Sequence, residues 1–187
     1  MNNYAVELAN IYHRVRHNPH TQIKVTDKVI LSVHVEVEIF RANRARVLLE
    51  NIGMTFDHPV FNTDYTPLDP NVRCYDNAYQ MATEQGLIYC EGLMLLRLRD
   101  GVFPLSHGWC CDEYGTVIDP TCANYQHIDE VSYIGVPFKQ EYVDDWFDFT
   151  GYHGVLDGHE HGLEVGVHYD DPAIYMQKLQ TKQKLAA

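Results

Sequence analysis

Three side chains have the types and order needed for covalent chemistry: Cys74, His107 and Asp119. A thiol attacks well only as thiolate, and an unperturbed thiol, with a pKa of about 8.5, is mostly protonated at neutral pH. It needs a base to take its proton. The base in turn needs an acid that fixes its tautomer and supports its charged form. Cysteine, histidine and aspartate supply nucleophile, base and orienting acid in that order along the chain.

The elements around them must bring the three together. Asp69-Pro70-Asn71 offers a helix start, Cys74–Glu84 has helical spacing, and Gly86 is a stop. Cys74 then lies at a helix N-terminus, where free N–H groups and the dipole stabilise negative charge. Cys74, Ala78, Met81 and Ala82 share one face, which is expected to pack on a sheet and turn the sulfur toward the strands.

Residues 87–98 form an apolar run that reads as a buried strand, Asp100-Gly101 is a hairpin signal, and a second strand is expected over 102–112. Glu113-Tyr114-Gly115 reads as a turn, followed by a third strand over Thr116–Asp119 and a fourth over Tyr133–Phe138. A three-residue turn pairs Asp112 with Thr116 and Trp109 with Asp119. His107 then shares a face with Asp119 as its diagonal neighbour, roughly 7–8 Å away at the backbone. A two-residue turn would shift the register by one and separate the pair across the sheet.

Three short words accompany these positions: Cys74-Tyr75-Asp76-Asn77-Ala78 at the helix start, His107-Gly108-Trp109 on a strand, and Asp119-Pro120-Thr121 after the next strand. In order and context they resemble the papain-like cysteine hydrolase superfamily, most closely its transglutaminase-like branch, over about residues 71–138. The resemblance implies an α+β, papain-like or transglutaminase-like fold, with the nucleophile helix packed on an antiparallel sheet. It also implies a thioester intermediate resolved by water or by an amine. In such enzymes the oxyanion hole combines the nucleophile's N–H with a side chain. By type and proximity Asn71 and Asn77 are candidates for that donor, and Trp109 is a candidate substrate contact. No calcium site or accessory domain of the large transglutaminases is recognised, and no cofactor is expected.

The remaining sequence is expected to frame this core within a single domain over 1–187. Residues 4–16 have helical spacing, 29–39 alternate as a strand with helix as the alternative, and Arg41–Ile52 look helical with Gly53 at the stop. Residues 54–73 read as an irregular loop. The tail, 172–185, has a helical pattern with lysines near its end.

Composition narrows the function classes. Of 187 residues, 45% are hydrophobic and 21% charged, which suits a globular chain and excludes disorder for most of it. With 14 Lys+Arg against 26 Asp+Glu, the net charge of −12 repels nucleic-acid backbones and anionic lipid. A cationic substrate or basic partner is favoured instead. No apolar run reaches the roughly 18 residues of a membrane span. The first residues lack a signal-peptide pattern, and five cysteines do not make a disulfide framework, so a reducing cytoplasm is the expected location.

Other clusters admit other chemistry. Cys110, Cys111 and Cys122 suggest zinc, but vicinal residues on a strand point to opposite faces, which favours core packing, as for Cys90. His153, His159, His161 and His168, with nearby acids, could ligate a transition metal or form a polar flap. Glu141–Asp148 mixes acids and aromatics, as on a solvated edge or a surface for a cationic group.

Three function classes follow. The first is a cysteine enzyme acting on an amide or other acyl bond of a peptide, protein or small molecule, by hydrolysis or by transfer to an amine. The second is an acidic binding or inhibitor protein with a vestigial triad. The third is a metal-dependent enzyme built on the His153–His168 cluster.

Overall fold

The computed structural model describes residues 20–26, 29–34, 54–56, 73–98, 101–122, 131–156 and 171–181. The expected helices at 4–16 and 41–52, with Gly53, lie outside the described residues, as do 35–39, Asp69-Pro70-Asn71 and 182–185.

Strands β1 (His20–Thr26) and β2 (Val29–His34) form an antiparallel hairpin with His20 opposite His34 and a register shift between Lys24 and Thr26. The alternating run at 29 is thus a strand over its described part. Its partner β1 went unread, although Gln22-Ile23-Lys24-Val25-Thr26 alternates in the same way.

The main sheet has five antiparallel strands in the order β3-β7-β4-β5-β6: β3 (Thr55–Phe56), β4 (Ile88–Leu98), β5 (Gly101–Cys111), β6 (Val117–Ile118) and β7 (Val131–Pro137). Helix α1 (Cys74–Gln85) precedes β4 and ends at Gly86 in the left-handed conformation. An antiparallel sheet commonly leaves one face wet; here both are covered. Leu93 and Leu95 of β4 pack with Ala78, Met81 and Ala82 of α1, while Cys90, Met94 and Leu96 pack with Phe56, Trp109 and Tyr133 on the other side. Burial on both faces is why β4 reads as a continuous apolar run.

Two expectations are corrected. Glu141–Asp148 is solvated and anchored by its aromatics, as expected, but it is a helix rather than an edge: it lies in α2 (Gln140–Thr150), which exposes Glu141, Asp145 and Asp148, buries Val143 and packs Tyr142 and Trp146 on the core. That spacing of one, three and four residues is the available signal, masked by the four acids of the segment. The tail is not helical over 171–181. Tyr175 is buried, and the backbone pairs instead with neighbouring strands: Lys139 N–H donates to the Tyr175 carbonyl, Gln177 N–H to Pro137, and Gln180 N–H to Glu113. Sheet-edge hydrogen bonds outweigh the tail's helical pattern.

The coarse class is α+β. Among the described residues no helix is long and apolar enough to cross a membrane.

Candidate functional site

The turn between β5 and β6 sets the site. Gly115 adopts φ 81°, its N–H donates to the Asp112 carbonyl at 3.0 Å, and Asp112 N–H donates to Thr116 at 3.1 Å. The Asp112 carboxylate also accepts the N–H groups of Tyr114 and Thr116. Cys110 pairs with Ile118 and Cys111 with Val117, so the three-residue turn gives the register that aligns His107 with Asp119.

The pair is closed and dry. His107 Nε2 stands 2.7 Å from Asp119 Oδ2, and both residues are 5% exposed. Tyr133, from β7, donates its hydroxyl to the same Oδ2 at 2.8 Å. Asp119 Oδ1 accepts the N–H groups of Thr121 and Cys122, each at 2.9 Å. The carboxylate is therefore fixed by four donors, and it assigns the shared proton to Nε2 of the imidazole.

Burial opposes charging His107, but the Asp119 carboxylate, then Cys74, Cys122 and the hydrogen bond itself, outweigh it and hold the imidazole well above its ordinary basicity. Burial likewise opposes charging Asp119. The His107 charge and hydrogen bond, with the Cys122 N–H and the Tyr133 hydroxyl, bring its pKa below the ordinary value. The pair is thus a carboxylate–imidazolium couple. Burial raises Tyr133 far above its ordinary value, which keeps it a donor.

Cys74 opens α1 and is partly exposed. Its expected helix face is the buried one, with Ala78, Met81 and Ala82 each at most 5% exposed. Arg73 precedes the helix in an extended conformation without a side-chain cap. The helix start is pressed onto β5 at Gly108, where an added Cβ would stand 3.0 Å from Tyr75 Cα and 3.3 Å from its nitrogen. The approach leaves no room for a Cβ, and it sets Cys74 and His107, the neighbours of Tyr75 and Gly108, near enough for a Cys74 charge to raise the basicity of the ring. The sheet alternates here: Gly108 and Cys110 face α1, with Cys110 Sγ 3.1 Å from the Ala78 carbonyl, while His107 and Trp109 face the Tyr133 side.

Several candidates take other roles. Trp109 is fully buried, edge-on to Phe56 and 6.5 Å from the His107 ring; it walls the histidine rather than offering a substrate surface. Asn77 is 1% exposed and its amide donates to Thr121 Oγ1 at 3.4 Å, tying α1 to the segment after Asp119. Asn71 lies outside the described residues. Cys110 and Cys111 fall in opposite cores, as vicinal strand residues should, and Cys90 is core.

Of the four histidines, His159, His161 and His168 lie outside the described residues. His153 sits between the rings of Tyr79 and Phe147, at 3.9 and 4.1 Å, with Nδ1 2.7 Å from Asp76 Oδ1. The buried Glu91 accepts the N–H groups of Val155 and Leu156, each at 2.7 Å, and so anchors the segment carrying His153.

Two residues near the pair escaped sequence reasoning. Tyr133 was read only as a strand start. Cys122, whose Sγ is 3.9 Å from His107 Nε2, was weighed only with Cys110 and Cys111. Neither carries a local sequence signal, because β7 and the 119–122 turn reach the site through sheet topology.

Comparison with known proteins returned no matching family model, no similar curated protein and no similar solved structure.

Proposed function

We propose that this chain is a cysteine enzyme of papain-like or transglutaminase-like design that cleaves or transfers an acyl group, with an amide as the bond attacked. The observation that carries the proposal is the His107–Asp119 couple. Its carboxylate occupies Nε2, leaving Nδ1 as the nitrogen for proton transfer, and Cys74 is a partly exposed thiol whose charge raises the basicity of that ring. Cys122 lies on the wrong nitrogen and is 2% exposed; burial, reinforced by Asp119, pushes its thiol up to about 11.

The steps balance on these groups. With its proton already held on His107 Nδ1, Cys74 attacks as thiolate and its sulfur bonds to the carbonyl carbon. The tetrahedral oxyanion is met by the backbone N–H of Cys74 at the start of α1. As the C–N bond breaks, His107 returns the proton to the departing amine and a thioester remains. Water or a second amine, deprotonated by His107, then attacks the thioester and regenerates the thiol. The acidic chain, with a net charge of −12, favours a cationic substrate or amine acceptor.

The test is turnover of a peptide and amine library by wild type and Cys74→Ala. Loss of all turnover in Cys74→Ala, with the unfolding midpoint within about 0.5 kcal/mol of wild type, is expected for an accessible nucleophile. Turnover retained in Cys74→Ala contradicts the proposal. Release of acid without amine marks hydrolysis; incorporation of the amine marks transfer.

A further inference from the structure

Among the described residues, one group of histidine, cysteine and acidic side chains brings three donor atoms within 4.8 Å of one another: His107, Asp119 and Cys122. All three residues are buried. They sit on two elements fixed by the β5–β6 register and by the turn that Asp119 caps. A fourth soft atom is close by, since Met94 Sδ is 3.4 Å from Cys122 Sγ.

We propose that His107 Nε2, Asp119 Oδ2 and Cys122 Sγ form a binding site for a thiophilic divalent cation, zinc or cadmium in class, that switches the pair off. A tetrahedral zinc with bonds of about 2.0–2.3 Å spaces its ligand atoms about 3.3–3.7 Å apart. Cys122 Sγ and His107 Nε2 are at 3.9 Å, so they need to close only slightly. Nε2 and Oδ2 are at 2.7 Å and must open to admit the ion in place of their shared proton.

The charges balance. Cys122 would bind as thiolate and His107 as neutral imidazole, so with the Asp119 carboxylate they surround a divalent ion with no net charge. Neutrality is what a buried ion site requires. A mixed nitrogen, oxygen and sulfur set, with a thioether beside it, favours zinc-like ions over magnesium or calcium.

The site itself does not use Cys74, so it stands whether or not that thiol is the nucleophile; only the inhibitory consequence rests on the proposed function. With Nε2 on the ion, the ring loses its imidazolium charge and no longer supports the Cys74 thiolate.

The experiment is cadmium titration of the full chain in the Cys74→Ala background, followed by the ultraviolet thiolate-to-cadmium charge-transfer band and by proton release. The expected result is one ion per chain with release of protons at neutral pH, because the Cys122 thiol must deprotonate to bind it. Cys122→Ser in that background should weaken binding by at least about 100-fold, the upper range for loss of a supporting group alone. Two results overturn the proposal: an unchanged band in Cys122→Ser, or a band lost instead in Cys111→Ser, whose sulfur lies 3.3 Å from that of Cys90. Circular dichroism of each variant ensures that lost binding is not lost fold. The inhibitory consequence is read separately: zinc should slow Cys74 alkylation in wild type and leave Cys122→Ser unaffected.

Discussion

Asp119 holds His107 by Nε2, at 2.7 Å, and not by Nδ1. The acid therefore sits behind the ring, with Tyr133 and two backbone N–H groups behind it, and the opposite nitrogen is the one that the proposed mechanism uses.

Asp119→Ala should be severely destabilising. It leaves a buried imidazole without its counter-charge and strands the Tyr133 hydroxyl and two N–H groups. Breaking a buried pair in this way costs about 3–5 kcal/mol, read from the urea midpoint. Tyr133→Phe removes only one donor to the carboxylate and should cost about 1.5–3 kcal/mol. Equal effects in the two variants would mean that the carboxylate is not the hub.

The pair should also give stability a particular pH dependence. The His107 pKa is raised on folding, so its contribution is full below the unfolded value and fades as pH rises through the folded one. The Asp119 pKa is lowered, so its contribution is present above the unfolded value and is lost as pH falls through the folded one. The stability gap between wild type and His107→Gln should therefore be widest between about pH 4 and 6.5, bounded by the ordinary carboxylate and imidazole values. Denaturant midpoints across pH measure it. A gap that does not vary with pH would show that no charged pair forms.

Gly108→Ala tests the seat of the helix. Its Cβ would meet Tyr75 backbone atoms at 3.0 and 3.3 Å, so the start of α1 must lift from β5. Overpacking of this kind costs about 1–3 kcal/mol. The more telling readout is Cys74 alkylation, which should lose its dependence on His107 while the fold persists. An alanine tolerated without change in either would mean that the close approach positions nothing.

Much of this site was legible before any coordinates, and the reason is local. The Glu113-Tyr114-Gly115 turn fixes the register, and register fixes which residues share a face, so the His107–Asp119 alignment follows from a short stretch of chain. Helix α1 and its Gly86 stop follow from periodicity. What escaped depends on long-range assembly. Tyr133 comes to Asp119 only because β7 lies beside β4, and Cys122 comes to His107 only because the turn after β6 curls back. Helix α2 was hidden by acids that its exposed face tolerates, and the tail was misread because its backbone pairs with the Pro137–Lys139 strand end and Glu113. Trp109, taken as a site residue for its type, is core because the sheet is buried on both faces, and Asn77 is buried on α1 against Thr121.

The most direct test of the central claim is the rate at which iodoacetamide labels Cys74, followed by peptide mass mapping across pH in wild type and His107→Ala. A functional pair predicts that Cys74 labels faster than Cys90 and Cys122, and that His107→Ala slows it by about 10-fold or more at neutral pH, since reactivity follows the thiolate fraction. A Cys74 rate that is the same in both proteins, and no greater than those of the buried thiols, would contradict the account.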